Sequence, residues 1–326
     1  MIEEGARRGR VSKAAAFAAL GLTSMALAAL PSRPGPAQAE PIVARSPTLV
    51  LAAGTSATSR AKVPAELPFG KGPIYPGRIL VAYYGTAGTG ALGVLGEDDP
   101  DAITRRLRRA AAPFATEDRP VQIVYELIVT VADAGPGDDG DYSHDIAREK
   151  VETYIKAAHR NKALLVLDLQ TGRSDFLTVA KRWKWALRDP WVGLALDPEW
   201  RMGPREVPAQ VIGSVGAREV NRVSEWLVGV SRRNDLPQKI FMLHSFRTSM
   251  IENISDVVRR PRLATVLHID GFGTPGQKLA TFHTVADTRP RHMRMGFKLF
   301  YDEDIALMSP SRVREIRPLV EFVSYQ

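Results

Sequence analysis

From about Pro76 onward the chain alternates two textures. Short apolar runs rich in β-branched residues recur at Arg78–Gly85, Val121–Val131, Ala163–Leu169, Val192–Leu196, Lys239–Phe246, Leu263–Ile269, Met293–Tyr301 and Leu319–Tyr325. Between them, apolar residues return every three or four positions over Asp101–Phe114, His144–Asn161, Asp175–Leu187, Ala217–Asn234, Ser249–Arg259, Gln277–Ala286 and Ser311–Ile316. The first texture predicts strands and the second amphipathic helices. Ser174-Asp175 supplies a start signal for the third helix, and Pro237 follows the fourth. Strands that are apolar on both faces belong to a parallel sheet covered by helices. Eight strands alternating with seven helices over about 250 residues match an α/β fold, the (β/α)8 barrel of the TIM type. The last strand runs to the C-terminus, so the final helix is missing. An open doubly wound sheet is the alternative. No long internal repeat or second domain is visible.

Upstream the pattern differs. Arg7, Arg8, Arg10 and Lys13 precede an apolar run from Ala14 to Leu30, and Ala37-Gln38-Ala39 follows a Pro-rich break. Basic start, short apolar core and A-x-A site together predict a cleaved signal peptide over 1–39. A run of seventeen residues is at the short limit for a bilayer span, so no stable membrane anchor is expected after cleavage. Residues 40–75, rich in Ala, Ser, Thr and Pro, read as a flexible linker, with the barrel over 76–326. The expected location is outside the cell or at its wall.

Composition narrows the chemistry. There is no cysteine, which excludes disulfides, thiolate nucleophiles and cysteine-ligated metals. The formal charge of +8 falls to +5 after cleavage, 39 basic against 34 acidic residues, a modest balance suited to anionic wall polymers. Arg105, Arg106, Arg108 and Arg109 lie in a helical pattern and read as a solvated face, so no nucleic-acid partner is expected.

In this barrel, chemistry collects at the C-terminal ends of the strands. There the pattern turns polar: Tyr84 on the first strand, Glu126 on the second, Asp168 on the third, Asp197 and Glu199 after the fourth, His244 on the fifth, Asp270 after the sixth. Asp197-Pro198-Glu199 is the sharpest case. Two carboxylates two apart on a strand share a side and raise each other's proton affinity. Sugar-cleaving sites need such a pair, one protonated and one ionised.

The segment Gly193-Leu-Ala-Leu-Asp197-Pro-Glu199-Trp resembles the fourth-strand D-x-E ending of barrel glycoside hydrolases, including the chitinase-like group and some secreted muramidases. The likeness in architecture spans about 76–326 and the motif about eight residues. Departures are Leu194-Ala195-Leu196 where the chitinase-like group carries further aspartates, and Tyr83-Tyr84 where the muramidases carry a first-strand Asp. The resemblance implies a secreted carbohydrate-active hydrolase on a wall polysaccharide or peptidoglycan-like substrate. It implies Glu199 as general acid with Asp197 as nucleophile or substrate-orienting partner. Asp168, Asp270, Glu126, Tyr84, Trp200 and His244 would then bind substrate or tune the site. A non-catalytic glycan-binding barrel and a barrel metallohydrolase are the alternatives.

Other patterns are weaker. Gly88–Gly93 and Gly271–Gly276 match G-x-G-x-x-G, but neither opens a long helix within a nucleotide-binding unit, so no dinucleotide cofactor is expected and both read as mouth loops. His244, His268, Asp270 and Asp168 contain metal-ligand types. No H-x-H ends the first strand, so neither a metal nor any other cofactor is assigned.

Overall fold

The computed structural model describes residues 65–326, which lie in one compact unit; the expected signal segment and the start of the linker lie outside the described residues. Eight strands form a closed parallel ring: β1 (Ile79–Gly85), β2 (Val121–Ala132), β3 (Leu164–Leu169), β4 (Val192–Leu196), β5 (Lys239–Ser245), β6 (Leu263–Ile269), β7 (Arg294–Leu299) and β8 (Val320–Tyr325). Closure is explicit, since β1 pairs with both β2 and β8, Leu80 lying opposite Gln122 on one side and Phe322 on the other. The fold is the (β/α)8 barrel that the alternation of elements predicts. A short strand, Ser143–Asp145, adds antiparallel to the end of β2.

Six α-helices cover the ring: α1 (Pro100–Ala111), α2 (Arg148–Asn161), α3 (Phe176–Arg182), α4 (Ala217–Arg233), α5 (Pro275–Ala286) and α6 (Pro310–Glu315). Their ends follow local chemistry. Asp99 and Asp175 cap the free N–H groups that open α1 and α3, and Thr274 with Gln277 makes a capping box on α5. Among the described residues no helix is long and apolar enough to cross a membrane.

Two expectations change. The helix expected over Ser249–Arg259 is instead two 3-10 turns flanking a short strand, Ile251–Glu252. Met250, Ile251, Ile254 and Val257 are buried at the spacing that suggested a helix. Asn253, however, takes the left-handed conformation at φ 54°, which no continuous helix admits. Asn221 of α4 holds the segment from outside, donating to the Asp256 carbonyl and accepting from the Val258 amide. The linker expected over 40–75 is packed at its end: Leu67, Ile74 and Tyr75 are buried and close the N-terminal end of the barrel.

The strand alternation divides the core in two. One set of positions packs outward on the helices, as Ile79, Val81 and Tyr83 do on β1. The other faces the barrel interior: Leu80 and Ala82, Val124, Leu164 and Val166, Ala195, Ile240 and Met242, Ala264 and Val266, Phe322. These inward residues fill only the N-terminal part of the interior.

Candidate functional site at the barrel mouth

Continuing two residues along each strand reaches the next inward position. Those positions are Tyr84, Glu126, Asp168, Asp197, His244, His268, Lys298 and Ser324, and all are buried. A barrel built only for stability fills this layer with branched aliphatic side chains. Each buried polar group that replaces them costs about 1–3 kcal/mol unless it is fully bonded. The layer is therefore polar against the interest of stability, at the end of the fold where chemistry is placed.

The groups engage one another. Tyr84 donates its hydroxyl to Asp168 Oδ2 at 2.8 Å, and Gln170 Nε2 donates to the same tyrosine oxygen at 3.3 Å. His244 lies between two carboxylates, with Nδ1 at 2.6 Å from Asp270 Oδ2 and Nε2 at 2.9 Å from Glu126 Oε1. Lys298 Nζ is 3.7 Å from Asp270 Oδ2 and 3.5 Å from the centre of the Tyr84 ring. His268 Nε2 is 2.6 Å from Ser324 Oγ, and its ring stands edge-on to His244 and Phe322, 5.2 Å from each. Gly296 on β7 makes room for that ring: a Cβ there would fall 2.1 Å from His268 Nδ1.

Local structure alters the reading of the D-x-E pair. β4 ends at Leu196; Asp197 caps a 3-10 turn over Pro198–Trp200, accepting from the Glu199 amide at 3.3 Å. The two carboxylates do not share a strand face, because Pro198 turns the chain at once. Asp197 drops into the buried layer, while Glu199 and Trp200 stand half-buried on the rim. All eight residues singled out from the sequence are nevertheless at the mouth.

Acidities divide across the site. Burial, reinforced by the charge of Asp270, pushes Glu199 up to about 7. Burial also raises Asp168 to about 6, with Glu126 adding and His244 opposing, and lifts Asp197 well above the usual carboxylate range, helped by Asp168. Burial would raise Asp270 and Glu126 as well. For Asp270 the His244 and Lys298 cations outweigh it, and for Glu126 the ion pair with His244 does, so both stay below their ordinary values. Burial would lower His244, but Asp270 and Glu126 hold it well above its ordinary value; His268, with only Ser324 as partner on Nε2, is lowered by burial to about 4.

Sequence reasoning left out His268, Lys298, Ser324 and Gln170 as site members. A signal was available for Lys298, a lone charge inside the apolar run Met295–Leu299, and for His268, two residues before Asp270. Ser324 and Gln170 carry no such signal. Glu126, His244 and His268 bring potential metal-ligand atoms within 4.8 Å of one another, a set that the sequence reading did not assign.

Around the rim stand aromatic side chains from consecutive loops: Trp200 after β4, Phe246 after β5, Phe272 after β6 and Tyr301 after β7, the last two 66% and 42% exposed. In the loop after β1, Gly88, Thr89 and Ala91 are exposed, while Val94, Leu95 and Gly96 after them are buried, and Tyr154 donates to the Leu95 carbonyl at 2.8 Å.

No family model and no curated protein matches the chain. Among solved structures, a dihydrodipicolinate synthase from Bacillus clausii is similar at 12% identity, covering 76% of this chain and 67% of that one, with a TM-score of 0.34. A hyperthermophilic endo-beta-1,4-glucanase in complex with substrate is similar at 7% identity, covering 63% and 77%, with a TM-score of 0.33. At these levels nothing about chemistry transfers.

Proposed function

We propose that the barrel mouth cleaves glycosidic bonds of a wall or extracellular polysaccharide by carboxylate acid/base chemistry. The observation that carries this reading is Glu199: a rim carboxyl that burial pushes up to about 7, standing over a layer that also contains ionised carboxylates. A general acid for a sugar leaving group has that acidity near neutral pH. Glu199 gives its proton to the glycosidic oxygen. Asp270, held ionised beside His244 and Lys298, is the anionic partner that stabilises the sugar cation or activates water. Asp197, buried and with its acidity held well above the usual carboxylate range by that burial, takes the orienting role toward the substrate. Trp200, Phe246 and Phe272 supply flat apolar faces for sugar rings on the loops where substrate arrives.

The test is a panel of wall and extracellular polysaccharides assayed for release of reducing ends. Glu199→Gln is expected to lower turnover by about 10²–10⁴-fold with sugar binding retained. Binding without turnover in the unaltered protein identifies a non-catalytic glycan-binding barrel. Neither binding nor turnover on any glycan refutes the carbohydrate reading.

A further inference from the structure

The floor of the mouth contains a concentration of buried polar atoms without partners. His268 is fixed on one nitrogen only, Nε2 by Ser324, while His244 has Asp270 at Nδ1 and Glu126 at Nε2. His268 Nδ1 is buried with no hydrogen bond, and so is the second Glu126 oxygen, Oε2, while Glu126 Oε1 lies 2.9 Å from His244 Nε2. Asp168 repeats the pattern: Oδ2 accepts from Tyr84, while Oδ1 is buried, unbonded and 3.9 Å from His244 Nε2. Buried polar atoms in native proteins are nearly always satisfied, and an orphan calls for a specific cause. A proton on His244 Nε2 accounts for that nitrogen and for Glu126 Oε1 through their 2.9 Å approach. It leaves His268 Nδ1, the second Glu126 oxygen and Asp168 Oδ1 unexplained.

One cation at this point satisfies them together. We propose that Glu126, His244 and His268, with Asp168 as the nearest fourth donor, hold a divalent first-row transition-metal ion of the Zn2+ type. Two imidazole nitrogens with carboxylate oxygens form a donor set that Zn2+ and its neighbours prefer. The donor atoms of Glu126, His244 and His268 already lie within 4.8 Å of one another, so modest side-chain closure brings them to the ~3.4 Å spacing that tetrahedral bonds of ~2.1 Å require. The outer groups are those that a ligated histidine or carboxylate normally has: Asp270 behind His244, Ser324 behind His268 and Tyr84 behind Asp168, each fixing one atom so that the other points inward. Gly296 contributes through its missing side chain, because any Cβ there would cover His268 Nδ1. The ion would lie beneath Glu199 and Asp197, independent of which bond is cleaved above it.

The whole protein is stripped with a chelator, dialysed and titrated calorimetrically with Zn2+ at pH 7.5, with Co2+ as a spectroscopic probe. The expected result is one tight ion per chain, and Co2+ absorption of a four-coordinate site with nitrogen and oxygen ligands. Glu126→Gln, close in shape to the native residue, and His268→Ala should each weaken binding by at least about 100-fold. Asp270→Asn should weaken it by about 10–100-fold through the orientation of His244. His144→Ala, at an exposed histidine paired with Asp133, should leave it unchanged. The Co2+ spectrum of the unaltered protein decides the matter should a buried variant fail to fold. Wild-type binding weaker than about 0.1 mM, an octahedral all-oxygen Co2+ spectrum, or unchanged affinity in folded Glu126→Gln and His268→Ala overturns the proposal.

Discussion

The position of Gly296 gives the sharpest quantitative test of how the site is built. Its missing Cβ would lie 2.1 Å from His268 Nδ1, 2.9 Å from Cγ and 3.1 Å from Cε1, whereas ordinary contact begins at 3.4 Å. An alanine therefore requires the imidazole to retreat by more than an ångström. Retreat is blocked, because the ring packs edge-on against Phe322 and His244 and its Nε2 is tied to Ser324 at 2.6 Å. Overpacking of this kind costs about 1–3 kcal/mol. Losing the buried His268–Ser324 bond adds about 1–3 kcal/mol for the groups left unpaired. The smaller entropy of an unfolded alanine returns about 0.4–1 kcal/mol. Gly296→Ala should thus destabilise the protein by roughly 2–4 kcal/mol, read from urea unfolding at pH 7 with an unchanged denaturant slope. The cause is separable by a double-mutant cycle. In a His268→Ala background the obstructing ring is gone, so the same substitution should cost less than about 0.5 kcal/mol, a coupling of at least about 1.5 kcal/mol. Gly276 in α5 is the control: nothing stands within 4 Å of its Cβ position, and Gly276→Ala should stabilise by about 0.5–1 kcal/mol. A neutral Gly296→Ala, or an equal cost in both backgrounds, would show that the imidazole does not occupy that space and would remove the basis for its orientation.

Other expected outcomes follow from the same geometry. The rate of glycan cleavage should fall through a limb near pH 7 as Glu199 loses its proton, and Glu199→Gln should lose that limb along with turnover. Asp197→Asn keeps the acceptor for the Glu199 amide and relieves crowding with Asp168, so its melting temperature at pH 7 should be equal to or above that of the unaltered protein; a drop of several degrees contradicts a crowded site. Lys239, fully buried with its ammonium on the Asp189 and Val192 carbonyls, is lowered by burial from 10.5 to about 7. The unfolded chain then holds a proton that the folded one releases between about pH 7 and 10.5, so this group's penalty, up to roughly 5 kcal/mol, is complete below pH 7 and fades as pH rises. Lys239→Met should remove that alkaline gain, as followed by chemical unfolding at pH 7 and 9. Should 1–39 act as the cleaved signal peptide its pattern predicts, N-terminal sequencing of the mature protein begins at or near Glu40, and a membrane-bound form starting at Met1 would contradict that reading.

The ring of strands was legible because each strand is apolar on both faces, which leaves few folds other than a helix-covered parallel sheet. The segment after β5 was not legible. Met250, Ile251, Ile254 and Val257 have helical spacing and are indeed the buried residues, so the period reported burial correctly. Conformation was decided elsewhere, by Asn253 in the left-handed region and by Asn221, a residue of α4 that takes the backbone bonds a helix would have made internally. Periodicity records which side chains face the core and says nothing of a distant amide that competes for the main chain.

The site divides along the same line. A side chain's membership of the mouth follows from parity: two residues beyond the last inward aliphatic position on each strand stands a polar one, and that rule can be read from sequence once the strands are placed. Applied to every strand, it would have returned His268, Lys298 and Ser324 together with the residues named for their chemistry, since 268 follows 264 and 266, 298 follows 296, and 324 follows 322. In Asp197-Pro-Glu199 the rule holds only for Asp197, because Pro198 opens a turn that carries Glu199 off the strand. What parity cannot give is which atoms of the layer meet. That Asp270 and Ser324 each occupy one nitrogen of a histidine, leaving His244 Nε2 and the unbonded His268 Nδ1 to face the Glu126 carboxylate, depends on side-chain directions across four strands. The polar character of the mouth is thus a property of the sequence, while its potential to bind a cation is a property of the closed ring, created when β2, β5 and β6 present their inward groups to a common point.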